Sequence, residues 1–289
     1  MNIKYLAPKS LEEALDSLEE FGDRAKVLAG GTDIVPRINN YEQAPSLLVY
    51  IEGLSLRYIQ EIDRKIVIGS FTTWSDLIES STIRDAVGVL SDAAKLGGTM
   101  ATRNAATIGG NLANASPAAD LVPPLLVLES ELVLISKSGE RIVPLSEFFI
   151  GPGKTVLKQD EIIKEVHIPK AHGATAFQKL GRRKAMTLSV VNAAARLEFD
   201  DNKIDVNKKC SGAYIAIGSV APTPIRCYEA EKALVGKALN RSIIWECASI
   251  AIAEASPIND QRATAWYRNK AGVSVVARAV AEAACVQID

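Results

Sequence analysis

Two short stretches of this chain combine glycine pairs with hydroxyl, amide and carboxylate side chains in a pattern that suits a phosphate-bearing nucleotide. The longer runs Thr107-Ile108-Gly109-Gly110-Asn111-Leu112-Ala113-Asn114-Ala115-Ser116-Pro117-Ala118-Ala119-Asp120. Adjacent glycines let the backbone reach positive φ and let a ligand approach the main chain closely. Successive N–H groups in such a turn can converge on an anion. Thr107 and Asn111 flank the glycines as side-chain donors, and Asp120 offers an acceptor for ribose hydroxyls. The set fits a pyrophosphate better than a metal or a nucleophile. A lone Gly-Gly usually marks no more than a tight turn, but here there is a second one. The strand-like run Lys26-Val27-Leu28-Ala29 leads straight into Gly30-Gly31-Thr32-Asp33, with Ile34-Val35-Pro36 behind it.

Other chemistries find little support. Neither loop is GxGxxG and no GxxxxGK[ST] occurs, so neither a Rossmann cofactor domain nor an NTPase is indicated. Cys210, Cys227, Cys247 and Cys285 form no CxxC and match no compact zinc or iron–sulfur spacing. Idle thiols in a reducing cytoplasm are the expectation. The only histidines are His167 and His172, and the alternating run around His167 places it on a solvent-facing strand position. No His-based triad, no metal site and no catalytic residue is therefore expected. With 48% hydrophobic and 23% charged residues and a net charge of −1, the chain reads as an ordinary globular protein without a nucleic-acid or membrane-surface footprint. No apolar run reaches membrane-spanning length, and Met1 to Pro8 does not read as a secretory signal.

The elements that must position the loops follow from local pattern. Ser10-Leu11-Glu12-Glu13 reads as a capping box opening a helix that ends near Phe21-Gly22. Strands are expected at Leu47–Ile51 and Ile66–Gly69, a helix start at Thr73, and a helix within Ala86–Leu96 stopped by Gly97-Gly98. Pro123-Pro124 belongs in the first turn of a helix reaching Leu128. Glu131–Ile135 and Arg141–Val143 form a hairpin across Ser136–Glu140, and another strand ends at Ile168-Pro169. Beyond about residue 170 two strands (about Ser189–Phe199 and Ala213–Val220) flank the polar turn Asp200-Asp201-Asn202-Lys203. Alanine-rich helices then occupy roughly 226–239, 242–255 and 273–287. Strands followed by helices argue for α+β. Trp245 reads as core, whereas Trp266-Tyr267-Arg268 lies in a polar stretch open to a contact role.

Taken together, Leu28-Ala29-Gly30-Gly31-Thr32-Asp33, Thr107-Ile108-Gly109-Gly110-Asn111, Ala115-Ser116-Pro117-Ala118-Ala119-Asp120 and Phe177-Gln178-Lys179-Leu180-Gly181-Arg182-Arg183 resemble the FAD-binding (medium) subunit of the molybdenum hydroxylases. That family includes bacterial xanthine dehydrogenases, aerobic carbon monoxide dehydrogenases and N-heterocycle dehydrogenases, and the resemblance covers essentially the whole chain. It implies an α+β protein: a two-lobed FAD-binding domain of the vanillyl-alcohol-oxidase/PCMH type over 1–170 (lobes about 1–55 and 56–170), then a small C-terminal α+β domain over 171–289. Carried over by residue, Leu28, Ala29, Gly30, Gly31, Thr32, Asp33 and Ile34 would hold the pyrophosphate through backbone N–H groups. Thr107, Gly109, Gly110 and Asn111 would close on it from the other side. Asp120 would meet a cofactor hydroxyl, Ile163 would line the flavin or adenine, and Lys179 would approach the isoalloxazine and favour added negative charge there.

The resemblance further implies a cytoplasmic heterotrimer, doubled into a dimer of trimers. A large subunit with molybdopterin would hydroxylate a purine, N-heterocycle, aldehyde or CO, and a small subunit with [2Fe-2S] clusters would pass electrons to FAD and on to an external acceptor. All four cysteines lie beyond residue 205, so no extra cluster is expected in this chain. Two other readings compete. A stand-alone flavin oxidoreductase, like UDP-N-acetylenolpyruvoylglucosamine reductase, needs its own acid or base, and no persuasive one is present. A non-catalytic nucleotide-binding assembly protein would use the loops as an anion clamp and carry no yellow chromophore.

Overall fold

The computed structural model describes residues 3–170, 172–199 and 209–288. The expected polar turn at 200–203 lies outside the described residues.

The first lobe contains β1 (Lys4–Leu6), α1 (Leu11–Phe21), β2 (Ala25–Leu28), α2 (Ile34–Asn39) and β3 (Leu47–Tyr50). Its three strands form a parallel sheet in the order β1-β3-β2. Ser10 caps α1 by accepting from the Glu13 N–H, while the Glu13 carboxylate takes the N–H of Lys9. The helix then buries Ala14, Leu15 and Leu18 on one side, against Val49 and Ile51. Because β2 ends at Leu28, one residue before the glycine pair, the first loop is carried at the end of a strand.

The second lobe contains β4 (Ile59–Ile62), β5 (Lys65–Gly69), α3 (Trp74–Glu79), α4 (Ser81–Leu96), α5 (Met100–Ala105), α6 (Ile108–Ala113) and α7 (Val122–Val127). It continues with β6 (Glu131–Ser136), β7 (Gly139–Pro144), β8 (Phe149–Gly151), β9 (Lys154–Thr155) and β10 (Ile162–Pro169). Five strands make one antiparallel sheet in the order β4-β5-β10-β6-β7. Thr73 opens α3 with a complete capping box: its hydroxyl accepts from the Asp76 N–H, and the Asp76 carboxylate accepts from the Thr73 N–H. Helix α4 starts earlier than its apolar pattern suggested, at Ser81, with a kink at Val87. His167 is not solvent-facing: its Nε2 lies 2.8 Å from Glu165 Oε1 and its side chain is only 18% exposed. Burial works to raise the Glu165 carboxyl. Hydrogen bonds from Tyr58 and His167 outweigh it and hold the group below the usual range.

The remaining chain contains β11 (Ala174–Gly181), β12 (Ser189–Phe199), β13 (Cys210–Gly218), β14 (Ile225–Arg226), α8 (Tyr228–Leu234), α9 (Arg241–Ala253) and α10 (Ala265–Ala284). The four strands form an antiparallel sheet in that order. Both faces of this sheet are covered, so β12 is buried almost throughout, including its polar Ser189, Asn192 and Arg196. Ala176, Val191, Ala193 and Ala195 face α9 and α10, whereas Phe177, Ala194 and Ala216 join the core around α4 and α7. Helix α10 begins at Ala265 under a Thr264 cap, well before residue 273. Trp245 packs partly buried on the second of these cores, while Trp266 and Tyr267 are exposed.

Cys210, Cys227 and Cys247 are buried in that same core, and Cys285 is exposed. Burial pushes the Cys210 thiol up to about 11 and that of Cys247 up to about 12, and raises that of Cys227 as well. Maleimide at pH 8 is therefore expected to label one thiol in the native chain and all four after denaturation. Rapid native labelling of Cys247 would show that this core opens readily.

Candidate cofactor site

The fold brings the two glycine-rich stretches into contact. Gly30 packs directly on the end of α5, where a Cβ added to it would lie 1.6 Å from the carbonyl oxygen of Ala105. Arg37 of α2 donates from Nη2 to Asn114 Oδ1 at 3.1 Å, a second tie between the stretches. Gly31 takes φ +69°, a conformation that glycine adopts without strain. From there the chain passes through Thr32 and Asp33 into α2, whose Arg37 pairs with Asp33 at 3.0 Å. Among the described residues, the hydrogen bonds of this segment use the N–H groups of Val35 and Arg37 and none from Gly30 to Ile34. Five consecutive backbone donors are thus left for a ligand.

The second stretch is built differently from the open turn its glycines suggested. It is the start of α6, capped by Thr107, whose Oγ1 accepts from the Gly110 N–H at 3.0 Å. The Ile108 N–H donates to Thr72 O, Gly109 to Ser70 O, and Asn111 to Thr107 O. The N–H groups that were to converge on an anion are therefore already satisfied. The glycine at 109 serves close packing: a Cβ there would sit 2.7 Å from Ser70 Cβ and 2.8 Å from its carbonyl oxygen. What α6 leaves unpaired is side-chain chemistry, notably the Asn111 amide, whose Oδ1 is buried without a partner. A buried unpartnered amide oxygen is costly unless something completes it.

Asp120 and Lys179, widely separated in sequence, meet in a buried ion pair of 2.6 Å with side chains 7% and 5% exposed. Asp120 already has three protein donors. Its Oδ2 carries Lys179, and its Oδ1 accepts from Ser189 Oγ at 2.6 Å and Asn192 Nδ2 at 2.9 Å. Lys179 also donates to Leu96 O at 3.3 Å, leaving one of its three N–H groups unused among the described residues. It lines an opening of about 360 Å³ whose walls include Leu96, Arg183 and Lys184. Ile163 shares a core with Ile108 and Leu112 of α6. It lies in the core of the second lobe at a bulge in β10, 4% exposed. Ser189 and Asn192 escaped attention because nothing local marks them; they matter through Asp120, far away in sequence.

Among the described residues, the atoms left without a protein partner are thus the N–H groups of Gly30–Ile34, the Asn111 Oδ1 acceptor and one N–H of Lys179. Residues 1–171 match the family described as the FAD binding domain in molybdopterin dehydrogenase. Residues 175–283 match the CO dehydrogenase flavoprotein C-terminal domain. The nicotinate dehydrogenase FAD-subunit of Eubacterium barkeri is 36% identical over 82% of this chain and 81% of its own. The xanthine dehydrogenase FAD-binding subunit of Escherichia coli O157:H7 is 34% identical over 91% of this chain and 90% of its own. A solved chain of carbon monoxide dehydrogenase from Hydrogenophaga pseudoflava superposes with a TM-score of 0.92 at 33% identity, covering 98% of this chain and 97% of that one. The α+β architecture is thus a two-lobed FAD-binding domain followed by a small C-terminal domain, and the cofactor of this chain is FAD. The chain belongs to the FAD-binding subunits of the molybdenum hydroxylases, the flavoprotein components of molybdenum-containing oxidoreductases.

Proposed function

We propose that this chain is the electron-output module of a heterotrimeric molybdenum hydroxylase. Its partners are a large subunit, which holds molybdopterin and hydroxylates the substrate, and a small subunit with two [2Fe-2S] clusters. The observation that carries the reading is the run of unpaired N–H groups from Gly30 to Ile34, delivered by the end of β2 into the start of α2. We assign the pyrophosphate of FAD to these donors. No Lys or Arg lies within the run itself, so backbone dipoles compensate the charge. Thr107 and Asn111 complete the polar lining from α6, with Gly109 and Gly110 shaping the helix start behind them.

Bound FAD supplies the electron-carrying chemistry. The protein's part is to orient it and to set the electrostatics around its ring. We assign to Lys179, fixed by Asp120 and by Leu96 O, the role of favouring negative charge on the ring through its remaining N–H. The boundary between the cofactor domain (lobes about 1–55 and 56–170) and the C-terminal domain is set at 170–175, and Asp120 and Lys179 then belong to opposite sides of it.

The test is purification from the native host, with an absorption spectrum and a gel. Flavin bands, iron–sulfur absorbance and two further subunits, one of them a molybdenum protein, are the expected result. A flavin-loaded chain that always purifies alone would overturn the heterotrimer, and would point to a substrate bound on this polypeptide.

A further inference from the structure

We propose that Ser189 and Asn192 are positioning residues that set the charge Lys179 presents to the flavin, an inference that rests on the placement of Lys179 given above. The register of the C-terminal sheet carries the argument. Lys179 and Asn192 are direct cross-strand partners in the β11–β12 pair, so their side chains share one face. Ser189 is three residues from Asn192 and in a regular strand would point to the other face. A bulge intervenes: Leu180 pairs with Val191, but Gly181 pairs with Ser189, and Val190 is left over. The extra residue turns Ser189 onto the face of Lys179 and Asn192, a role that bulges commonly have. Val190 turns instead into the core beside α10, and its carbonyl accepts from Arg268.

The result is a closed set of four buried side chains. Ser189 and Asn192 are each 0% exposed, and both donate to the single oxygen Oδ1 of Asp120. The other oxygen, Oδ2, is reserved for Lys179. Two neutral donors on Oδ1 stabilise the carboxylate and draw part of its charge away from the ammonium. In a weakly polarisable interior each such donor counts for more than it would in water. The positive charge of Lys179 is thereby only partly cancelled on the side where its third N–H is free. Without the clamp, Asp120 would cancel it more fully, and negative charge on a neighbouring ring would be less favoured.

Redox titration of the flavin in the purified holoprotein tests this, with flavin content and thermal unfolding as controls for folding. Ser189→Ala, which deletes one oxygen atom, is expected to lower the flavin potential. The predicted shift is about tenfold in the oxidised-to-reduced equilibrium, or about 30 mV for a two-electron couple. Asn192→Ala should shift it in the same direction, Ser189→Thr should hold the wild-type value, and Asp120→Asn should raise it. Loss of packing alone does not produce shifts of opposite sign. If Lys179→Met lowers the potential while Ser189→Ala and Asn192→Ala leave it unchanged, the clamp is wrong and the placement of Lys179 stands. If Lys179→Met leaves the potential unchanged, that placement fails and the present inference fails with it.

Discussion

Replacing Gly30 with alanine is expected to strip FAD from the chain while leaving the C-terminal domain folded. The added Cβ would lie 1.6 Å from the Ala105 carbonyl oxygen and 2.4 Å from its carbon. Both are backbone atoms at the end of α5 and cannot rotate aside. The first loop must move, and the five donors proposed to hold the pyrophosphate move with it. Overpacking of this kind costs about 1–3 kcal/mol. Since about 1.4 kcal/mol is tenfold in affinity, FAD binding should weaken by about tenfold to hundredfold. Gly88→Ala is the control, because nothing lies within 4 Å of the position its Cβ would take. Flavin fluorescence titration of both variants measures the effect. Wild-type affinity in Gly30→Ala would remove the pyrophosphate from this loop.

Replacing Arg268 with methionine is expected to be the most destabilising change to the C-terminal domain. Arg268 is 1% exposed. Its Nη1 donates to Val190 O and Ser219 O, and its Nη2 to Asp260 Oδ1, all at 2.6–2.7 Å. It therefore fastens α10 to the ends of β12 and β13 and to the connection leading out of α9. Methionine fills much of the space but leaves two carbonyls without their donor and Asp260 with one cation fewer. Removing one partner of a buried charged pair costs about 3–5 kcal/mol, which corresponds to a fall of about 10 °C in the unfolding midpoint. Acid sensitivity should change as well. Burial works to raise the Asp260 carboxyl, but hydrogen bonds from Arg262, the Ala263 N–H and Arg268 hold it well below its ordinary 3.8. A depressed carboxyl stabilises the fold above that ordinary value and loses its contribution as the pH falls below it. The wild type should thus lose stability steeply below about pH 4, and the variant less steeply. Calorimetry between pH 3 and pH 7 would show this, and parallel curves for the two proteins would refute it.

Much of the architecture was legible because it is written in local pattern. Thr73 with Asp76 announced its helix, Pro123-Pro124 fell within the first turn of α7, and the Glu131 and Arg141 runs made their hairpin. Features set by distant neighbours were harder to read. The glycine at 109 looked like one that frees the backbone, yet it is small because Ser70 stands against it. Arg268 read as part of a polar stretch, because its acceptors at 190, 219 and 260 come together only in the folded chain. Asp120 stood out as important, but its protein partners did not: a carboxylate after a glycine-rich turn suggests a ligand hydroxyl, and a sequence does not reveal that a bulge aims Ser189 at it. Ile163 shows the same limit, since an apolar residue that lines a cofactor and one that fills a core look alike in sequence.

The C-terminal sheet is covered on both faces, and this bears on how such proteins can be recombined. Phe177, Ala194 and Ala216 belong to the core shared with α4 and α7, and Lys179 closes on a carboxylate contributed from the cofactor side. A cut near residue 172 thus separates two halves of one apolar interior. A C-terminal domain grafted from a relative would bring its own sheet face to a foreign α4–α7 surface and its own lysine to a foreign aspartate. Such hybrids should succeed when the graft also carries the α7 surface and the Asp120 segment. The inheritable module here is an interface together with its ion pair, and its borders do not coincide with the point where the chain crosses between domains.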